Sequence, residues 1–271
     1  MRSKRAFTLV ELLVVMAIIA VLIAILLPVL NRAKQQAQRV VCQANLRSIG
    51  LGLMMYVEDN DYYPGGWVNY SGHPAAIWPT LIRKSMRGGS KVFYCPARPA
   101  YFIWTNPPSG PVVPSSPAMF GVFGYERNEP LIVSNDGNVG GTPWSYAYNF
   151  GGTAGNGPIN RGDVPTRGLG WLVELPTDSR PLVKRSRVKN PSEMIAVADA
   201  AGEYGNCIMS AVEYPARAPG DIHQGGSNVL FCDGHVHWYP LKELLVNDWK
   251  RGNEPIRRFW NNDNEPHGNE P

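Results

Sequence analysis

The chain has 271 residues, 44% of them hydrophobic and 18% charged, which excludes wholesale disorder and allows one globular domain plus an appendage. Its formal net charge is +4, but Arg2, Lys4 and Arg5 contribute three of those charges, and without them the balance is +1. So small an excess, with no arginine-rich stripe or recognition motif, argues against nucleic acid as a partner.

The chain opens MRSKRAFTLVELLVVMAIIAVLIAILLPVL. Leu12 to Leu30 is a run of 19 residues without a charge, and 14 of them are Leu, Ile or Val. As a helix rising ~1.5 Å per residue it matches a bilayer core of ~30 Å. At roughly −0.4 kcal/mol per Leu, Ile or Val, insertion gains on the order of 6 kcal/mol. A carboxylate costs roughly 3 kcal/mol at mid-membrane and less near an edge, where Glu11 sits, so the span inserts despite it. A cleavable secretory signal fits poorly, because its apolar region is ~7–15 residues and ends in a small-x-small site. Here the run is longer and leads into PVLNRAKQQAQ. Arg32, Lys34 and Arg39 balance the leading basic residues, so flanking charge alone does not orient the span.

One long helix is expected from Phe7 to about Val57, interrupted in sequence only by Pro28, which removes a backbone bond and bends a helix. Ala37, Val41, Ala44, Leu51 and Met55 recur at spacings of 3, 4 or 7, with Ile49, Leu53 and Tyr56 widening the stripe. This amphipathic half is expected to pack its stripe on the downstream domain. Asn60, Asp61 and Pro64 stop the helix.

Residues 65–250 read as short strands between Gly/Pro-rich turns, with VFYC (92–95), WSYAYNF (144–150), GWLVEL (170–175) and MIAVAD (194–199) as strands. Short helices are expected near Ala76–Ser85 and Leu241–Lys250. TNPPSGPVVPSSPAM (105–119) has no core-forming period and reads as a loop, and the tail after Arg251 as irregular and polar. In SNVLFCDGHVHWY, two alternating runs flank Asp233-Gly234, a dipeptide suited to a two-residue hairpin turn. That register pairs Phe231 with Val236 and Val229 with Trp238 on the core face, and Cys232 with His235 and Leu230 with His237 on the other.

KRAFTLVELLVVMAIIA resembles the leader and helix of type IV pilins and type II secretion pseudopilins. The resemblance implies cleavage by a prepilin peptidase between Ala6 and Phe7, N-methylation of the new amine, Glu11 as the family's assembly glutamate and Pro28 as its helix-bending proline. Ala6 departs from the glycine usual before the cut. His223, followed after nine residues by Asp233-Gly234, is similar to the C-terminal signature of prepilin-type H-x(9)-D-G proteins. CQANLRSIGLGLMMYVEDNDYYP, WPTLI, FYCP and SYAYN resemble further landmarks of that family.

The implied architecture is α+β: leader 1–6, membrane or filament-core helix 7–30, amphipathic stem 31–60, an antiparallel β-rich head 61–250 and the tail 251–271. The implied role is a non-enzymatic filament subunit in the cytoplasmic membrane, single-pass, head outside, with prepilin peptidase and like subunits as partners. A membrane-anchored binding module with the same leader is the alternative, using aromatics such as Trp67, Trp78, Trp104 and Trp144 on glycans or a secreted substrate. A metallohydrolase would need His223, His235 and an acid in one pocket, and no nucleophile–base motif or phosphate loop supports an enzyme.

The cleaved Phe7 amine and Glu11 would both lie in apolar surroundings, where each charge is costly unless they meet between neighbouring subunits. Four cysteines, Cys42, Cys95, Cys207 and Cys232, admit three connectivities. A Cys42–Cys95 bridge from stem to head suits an exported compartment and leaves Cys207–Cys232 as the second pair, with buried thiols as the alternative. His223, Cys232, Asp233, His235 and His237 lack tight ligand spacing for a transition metal. Asp199, Asp221 and Asp233 offer oxygens for calcium, but no loop has a calcium-binding spacing, so no cofactor is expected.

Overall fold

The computed structural model describes residues 8–70, 73–86, 89–99, 124, 144–152, 167–170, 172–175, 182–201, 208–209, 218–245 and 255–265. The fold is α+β, a long N-terminal helix laid against a small β-rich head. The Pro/Ser-rich stretch 105–119 falls outside the described residues.

Helix α1 (Leu9–Asn60) is 52 residues long and runs through Pro28. At 1.5 Å per residue it extends about 78 Å. Asp61 ends it in the left-handed region (φ 62°), its N–H bonding Val57 O, while Asn60 Nδ2 donates to Tyr56 O at 2.7 Å. From Leu9 to Leu30 every residue is exposed. Farther on, Cys42, Leu46, Ile49, Leu53 and Val57 are buried against the head.

This contact face corrects the expected stripe. Ala37, Val41, Ala44, Leu51 and Met55 are exposed, and Leu51 is 60% accessible. Only Ile49 and Leu53 of the stripe are buried, with Tyr56 half-buried. The stem therefore has two apolar stripes with helical spacing, and periodicity does not say which one meets the head. The polar contacts at the interface agree with the observed face. Gln38 Nε2 donates to Pro96 O at 2.8 Å, Gln43 Nε2 to Asn228 Oδ1 at 3.1 Å, and Asn45 Nδ2 to Tyr94 O at 2.8 Å.

The described residues of the head form two sheets. In the first, β1 (Trp67–Tyr70) lies between β2 (His73–Ile77), antiparallel to it, and β4 (Leu172–Leu175), parallel to it. The second has the order β6-β3-β5-β7-β8, from β3 (Tyr146–Asn149), β5 (Ile195–Asp199), β6 (Ile208–Met209), β7 (Gly226–Phe231) and β8 (Val236–Pro240). Its β3-β5-β7-β8 part is antiparallel, and β6 adds a parallel edge to β3. Strands β5 and β7 are buried along their whole length, because each face of this sheet carries a core. One core lies between sheet and stem and includes Leu46, Ile49, Leu53, Tyr146, Tyr148, Val197 and Leu230. It also holds Trp78 of α2 (Trp78–Arg83), stacked on Tyr148 with ring centroids 5.6 Å apart. The other core collects Ile195, Ala198, Val229, Phe231, Leu244 and Trp260.

Three local expectations change. VFYC is not a strand: Ser90–Phe93 forms a 3-10 turn that sets Phe93 edge-on to Trp78. The tail is not wholly irregular: Pro255–Trp260 is a 3-10 helix. Trp260 and Arg257 are fully buried, and Trp260 Nε1 donates to Leu244 O of α3 (Leu241–Leu244) at 3.1 Å. The hairpin register is also shifted by one. Leu230 pairs with Val236 and Val229 with His237, while Phe231 N donates to His235 O at 3.0 Å. Cys232, Asp233 and Gly234 thus form a three-residue loop whose last residue, Gly234, is left-handed (φ 91°), a common hairpin closure. The shift turns Leu230 and Val236 toward the stem, and Val229 and Phe231 toward the second core.

Two glycines let the hairpin sit close to the helix. A Cβ on Gly50 would lie 2.7 Å from Leu230 Cδ1, and one on Gly234 would lie 2.7 Å from Met54 Cε. Gly234→Ala combines that contact with a left-handed backbone, so a loss of roughly 1–2 kcal/mol is expected in urea unfolding. Gly89→Ala, whose Cβ meets open space, should stay within about 0.5 kcal/mol of wild type. Cys42 and Cys95, 53 positions apart in sequence, form a disulfide with Cα atoms 5.2 Å apart. Removing it with Cys42→Ser should cost about 2–4 kcal/mol. Alkylation of the unreduced, unfolded chain should label Cys232 and leave Cys42 and Cys95 unmodified.

Candidate functional site

At the helix start, Thr8 and Glu11 form a reciprocal cap. Glu11 N donates to Thr8 Oγ1 at 3.2 Å, while Thr8 N and Oγ1 donate to Glu11 Oε2 at 2.9 and 2.8 Å. A Thr-x-x-Glu sequence satisfies two otherwise orphaned helix donors in this way. Glu11 in the isolated chain is thus already partnered by its own backbone. The sequence reading weighed Glu11 as a charge at the membrane edge and as an intersubunit contact but not as a cap, although Thr8 three residues before it was the available signal. Ala6 and Phe7 lie outside the described residues.

The segment His223–Gly234 spans β7 from one end to the other. Asp233 and Gly234 turn the chain into β8, and Asp233 Oδ1 accepts from His235 N at 3.1 Å and contacts His235 Nδ1 at 2.7 Å. His235 stacks on Phe231, ring centroids 4.2 Å apart, and His237 packs edge-on to Tyr239. These contacts account for the hairpin residues without a ligand. At the other end His223 is 2% exposed. Its N–H bonds Gly226 O at 3.1 Å, and its carbonyl accepts from Trp238 Nε1 at 3.0 Å.

The His223 ring enters the stem–head junction. Its Nε2 is 3.4 Å from Cys95 Sγ and 3.7 Å from Asp199 Oδ2. Burial, reinforced by the positive fields of Arg39 and Arg98, pulls the imidazole pKa down to about 4 and keeps the ring neutral. Asp199 is fully buried at the end of β5. Burial pushes its carboxyl up to about 7, against the lowering effects of Asn228 and of Arg98. Asn228 N donates to Asp199 Oδ2 at 2.6 Å, whereas Oδ1 has no hydrogen-bond partner. Arg98 in turn donates to Ala200 O.

Cys232 is a buried free thiol, which corrects its proposed bridge to Cys207; Cys207 itself lies outside the described residues. Burial pushes the Cys232 thiol up to about 12, which favours its protonated form. The four oxygen or nitrogen candidates for a metal do not gather. Asp199 is buried, whereas Asp221, Asp233 and His235 are exposed. Among the described residues, Cys42, Cys95 and His223 are the only group of three or more His, Cys, Asp or Glu residues whose ligand atoms approach within metal-binding reach. Sequence reasoning missed this set, since its members are 53 and 128 positions apart.

Two of the four tryptophans named for ligand stacking lie in the core. Trp78 and Trp144 are at most 3% exposed. Trp104 and the side chain of Trp67 fall outside the described set.

Comparison with known proteins assigns the first part of the chain. Residues 1–27 match the family described as the prokaryotic N-terminal methylation motif, and residues 31–82 match a family described as protein of unknown function (DUF1559). No curated protein matches, and no solved structure matches. Among the described residues, α1 is long and apolar enough to cross a membrane. The chain therefore begins with a type IV pilin-like prepilin segment, joined to an α+β head by one continuous helix.

Proposed function

We propose that this chain is a structural subunit of a type IV pilus-like or type II secretion filament. In this reading a prepilin peptidase cuts between Ala6 and Phe7 and methylates the new amine. Leu9–Leu30 first resides in the cytoplasmic membrane, with the head outside, and then moves into a bundle of like helices where packing replaces lipid contact.

The observation that carries this reading is the exposed apolar face of α1, which extends past the membrane segment. Leu27, Leu30, Ala37, Val41, Leu51 and Met55 lie on one heptad track, and all are exposed. Lys34 and Ser48 are the polar members of that track. A lipid anchor needs apolar residues only up to about Leu30. Beyond it, the exposed Val41, Leu51 and Met55 gain from a neighbouring helix. The buried positions of Trp78 and Trp144 remove two of the aromatics on which a glycan-binding head would depend.

Glu11 then has two successive partners. Before assembly it closes the Thr8 cap. In the filament its charge pairs with the methylated Phe7 amine of a neighbour and sets the axial register. Glu11→Gln separates these roles, because Gln also serves in a capping box but carries no charge. Glu11→Gln and Glu11→Ala should both insert in the membrane and both fail to enter filaments, measured by pelleting of sheared filaments. Normal assembly of Glu11→Gln alongside failure of Glu11→Ala would assign Glu11 to the cap alone. The N-terminal peptide of the mature protein should have the mass of N-methylated Phe7; an intact Met1 in assembled protein would overturn the proposal.

A further inference from the structure

The stem beyond the apolar run carries charge of one sign. After Glu11 the next acidic residue in the chain is Glu58, and between them stand Arg32, Lys34, Arg39 and Arg47. Arg32 and Lys34 lie two and four positions past Leu30, where the uncharged run ends, and so about 3 and 6 Å beyond it along the helix. A headgroup layer is about 5–8 Å thick on each side of the hydrocarbon, so a span that ends at Leu30 places both residues within it. Helical side chains lean toward the helix N-terminus, which here is toward the bilayer. Both residues are exposed, and among the described residues neither has an ion-pair partner.

The head begins at nearly the same level. Gln224 Nε2 donates to Gln35 Oε1 at 3.2 Å, and the Arg39 guanidinium lies 4.9 Å from the centre of the Trp238 ring. Leu241 N donates to Gly225 O at 3.0 Å, which sets Lys242, exposed on α3, beside the same turn. Gln35 is about 8 Å beyond Leu30, so this rim of the head rests at the outer edge of the headgroups. Its exposed acids among the described residues are Asp221 and Glu243; Arg32, Lys34, Arg39 and Lys242 outnumber them. The far end of the stem differs. There the exposed Glu58, Asp59 and Asp61 stand among the exposed Lys184, Arg185 and Arg187, Arg185 pairing with Glu58 and its N–H bonding Asp61 O. That mixed end offers no acidic face for the basic residues of a second copy, so the observations favour a membrane surface as their partner.

We propose that Arg32, Lys34, Arg39 and Lys242 form a basic collar that binds the phosphates of anionic phospholipids and seats the lower rim of the head on the membrane. This rests on the reading of Leu9–Leu30 as a membrane span and adds a second attachment to it. The span fixes depth by hydrophobic transfer, whereas the collar holds the head by charge and is weakened by salt. Before assembly the collar keeps the head close to the bilayer. Movement of the helix out of lipid breaks those contacts.

The test places the full-length chain in nanodiscs of phosphatidylcholine, with or without phosphatidylglycerol, and follows hydrogen–deuterium exchange of peptides covering 224–225 and 241–245. Phosphatidylglycerol should slow exchange there at least about 5-fold, the factor that one Lys or Arg gains at an anionic surface. Peptides covering 184–189 should exchange alike in both lipids. Salt at about 1 M, where the screening length is ~3 Å, should remove the difference. A variant combining Arg32→Gln, Lys34→Gln and Lys242→Gln changes only exposed side chains and should exchange alike in both lipids. A chain that enters neither nanodisc would refute the membrane span itself. One that enters both and exchanges equally at the rim would refute the collar and leave the span standing. Slowing that survives in the triple variant, or that is equal at 184–189, would also overturn the collar. So would loss of sheared filaments in the triple variant without any lipid effect on wild type, which would assign the basic residues to contact between copies.

Discussion

The structure depends on one side of one helix. Along Cys42, Leu46, Ile49, Leu53 and Val57, α1 provides the inner wall of the head's main core. Removing it would expose Leu230, Val197 and the buried aromatics Tyr146 and Tyr148 to water. A fully buried large apolar side chain is worth about 1.5–3 kcal/mol, so a head deprived of its stem would lose several times the free energy that a single contact provides. The helix is therefore both the anchor and a structural part of the head. That coupling lets an axial movement of the anchor carry the head with it.

The closeness of the joint has a cost in polar groups. Cys42 draws Cys95 onto the helix, and that approach brings the ring of His223 and the carboxylate of Asp199 into a dry interior. Neither group is favourable as an unpaired ion there. The neutral imidazole and the raised carboxyl pKa of Asp199 are consequences of that burial. Asn228 N–H satisfies one carboxylate oxygen and leaves the other without a partner. His223 and the Asp233-Gly234 turn sit at opposite ends of β7, so both ends of that strand are held against the stem region. The histidine packs at the disulfide, and the glycine lies on Met54.

Much of the fold was legible from local pattern. The length and apolarity of Leu12–Leu30, the stop at Asn60 and Asp61, the strands β3, β4, β5 and β7 and the existence of the hairpin follow from composition and period. The misreadings share a cause. The stem has two stripes at spacings of 3 and 4, and the more regular one is not the one that packs. Asp-Gly suits a two-residue turn in isolation, but that register would turn Leu230 away from Gly50 and the stem core. Trp260 lies in a polar tail, yet it fills the second core because Leu244 O of α3 accepts from its indole N–H and Asn149 Nδ2 donates to its carbonyl. In each case a distant contact chose between local options of similar energy.

By itself the sequence determined the elements that need only neighbours along the chain. The membrane-length helix, the Thr8–Glu11 cap and the prepilin-like start belong to this class, because hydrophobic transfer and helix capping act within a few residues. Tertiary structure alone decided which stem face meets the head, which register the hairpin takes, and that Cys42, Cys95, Asp199 and His223 converge. Those outcomes depend on contacts between distant parts of the chain, such as Cys42 with Cys95, 53 positions apart, and Cys95 with His223, 128 apart, and only the folded core brings such groups within contact distance.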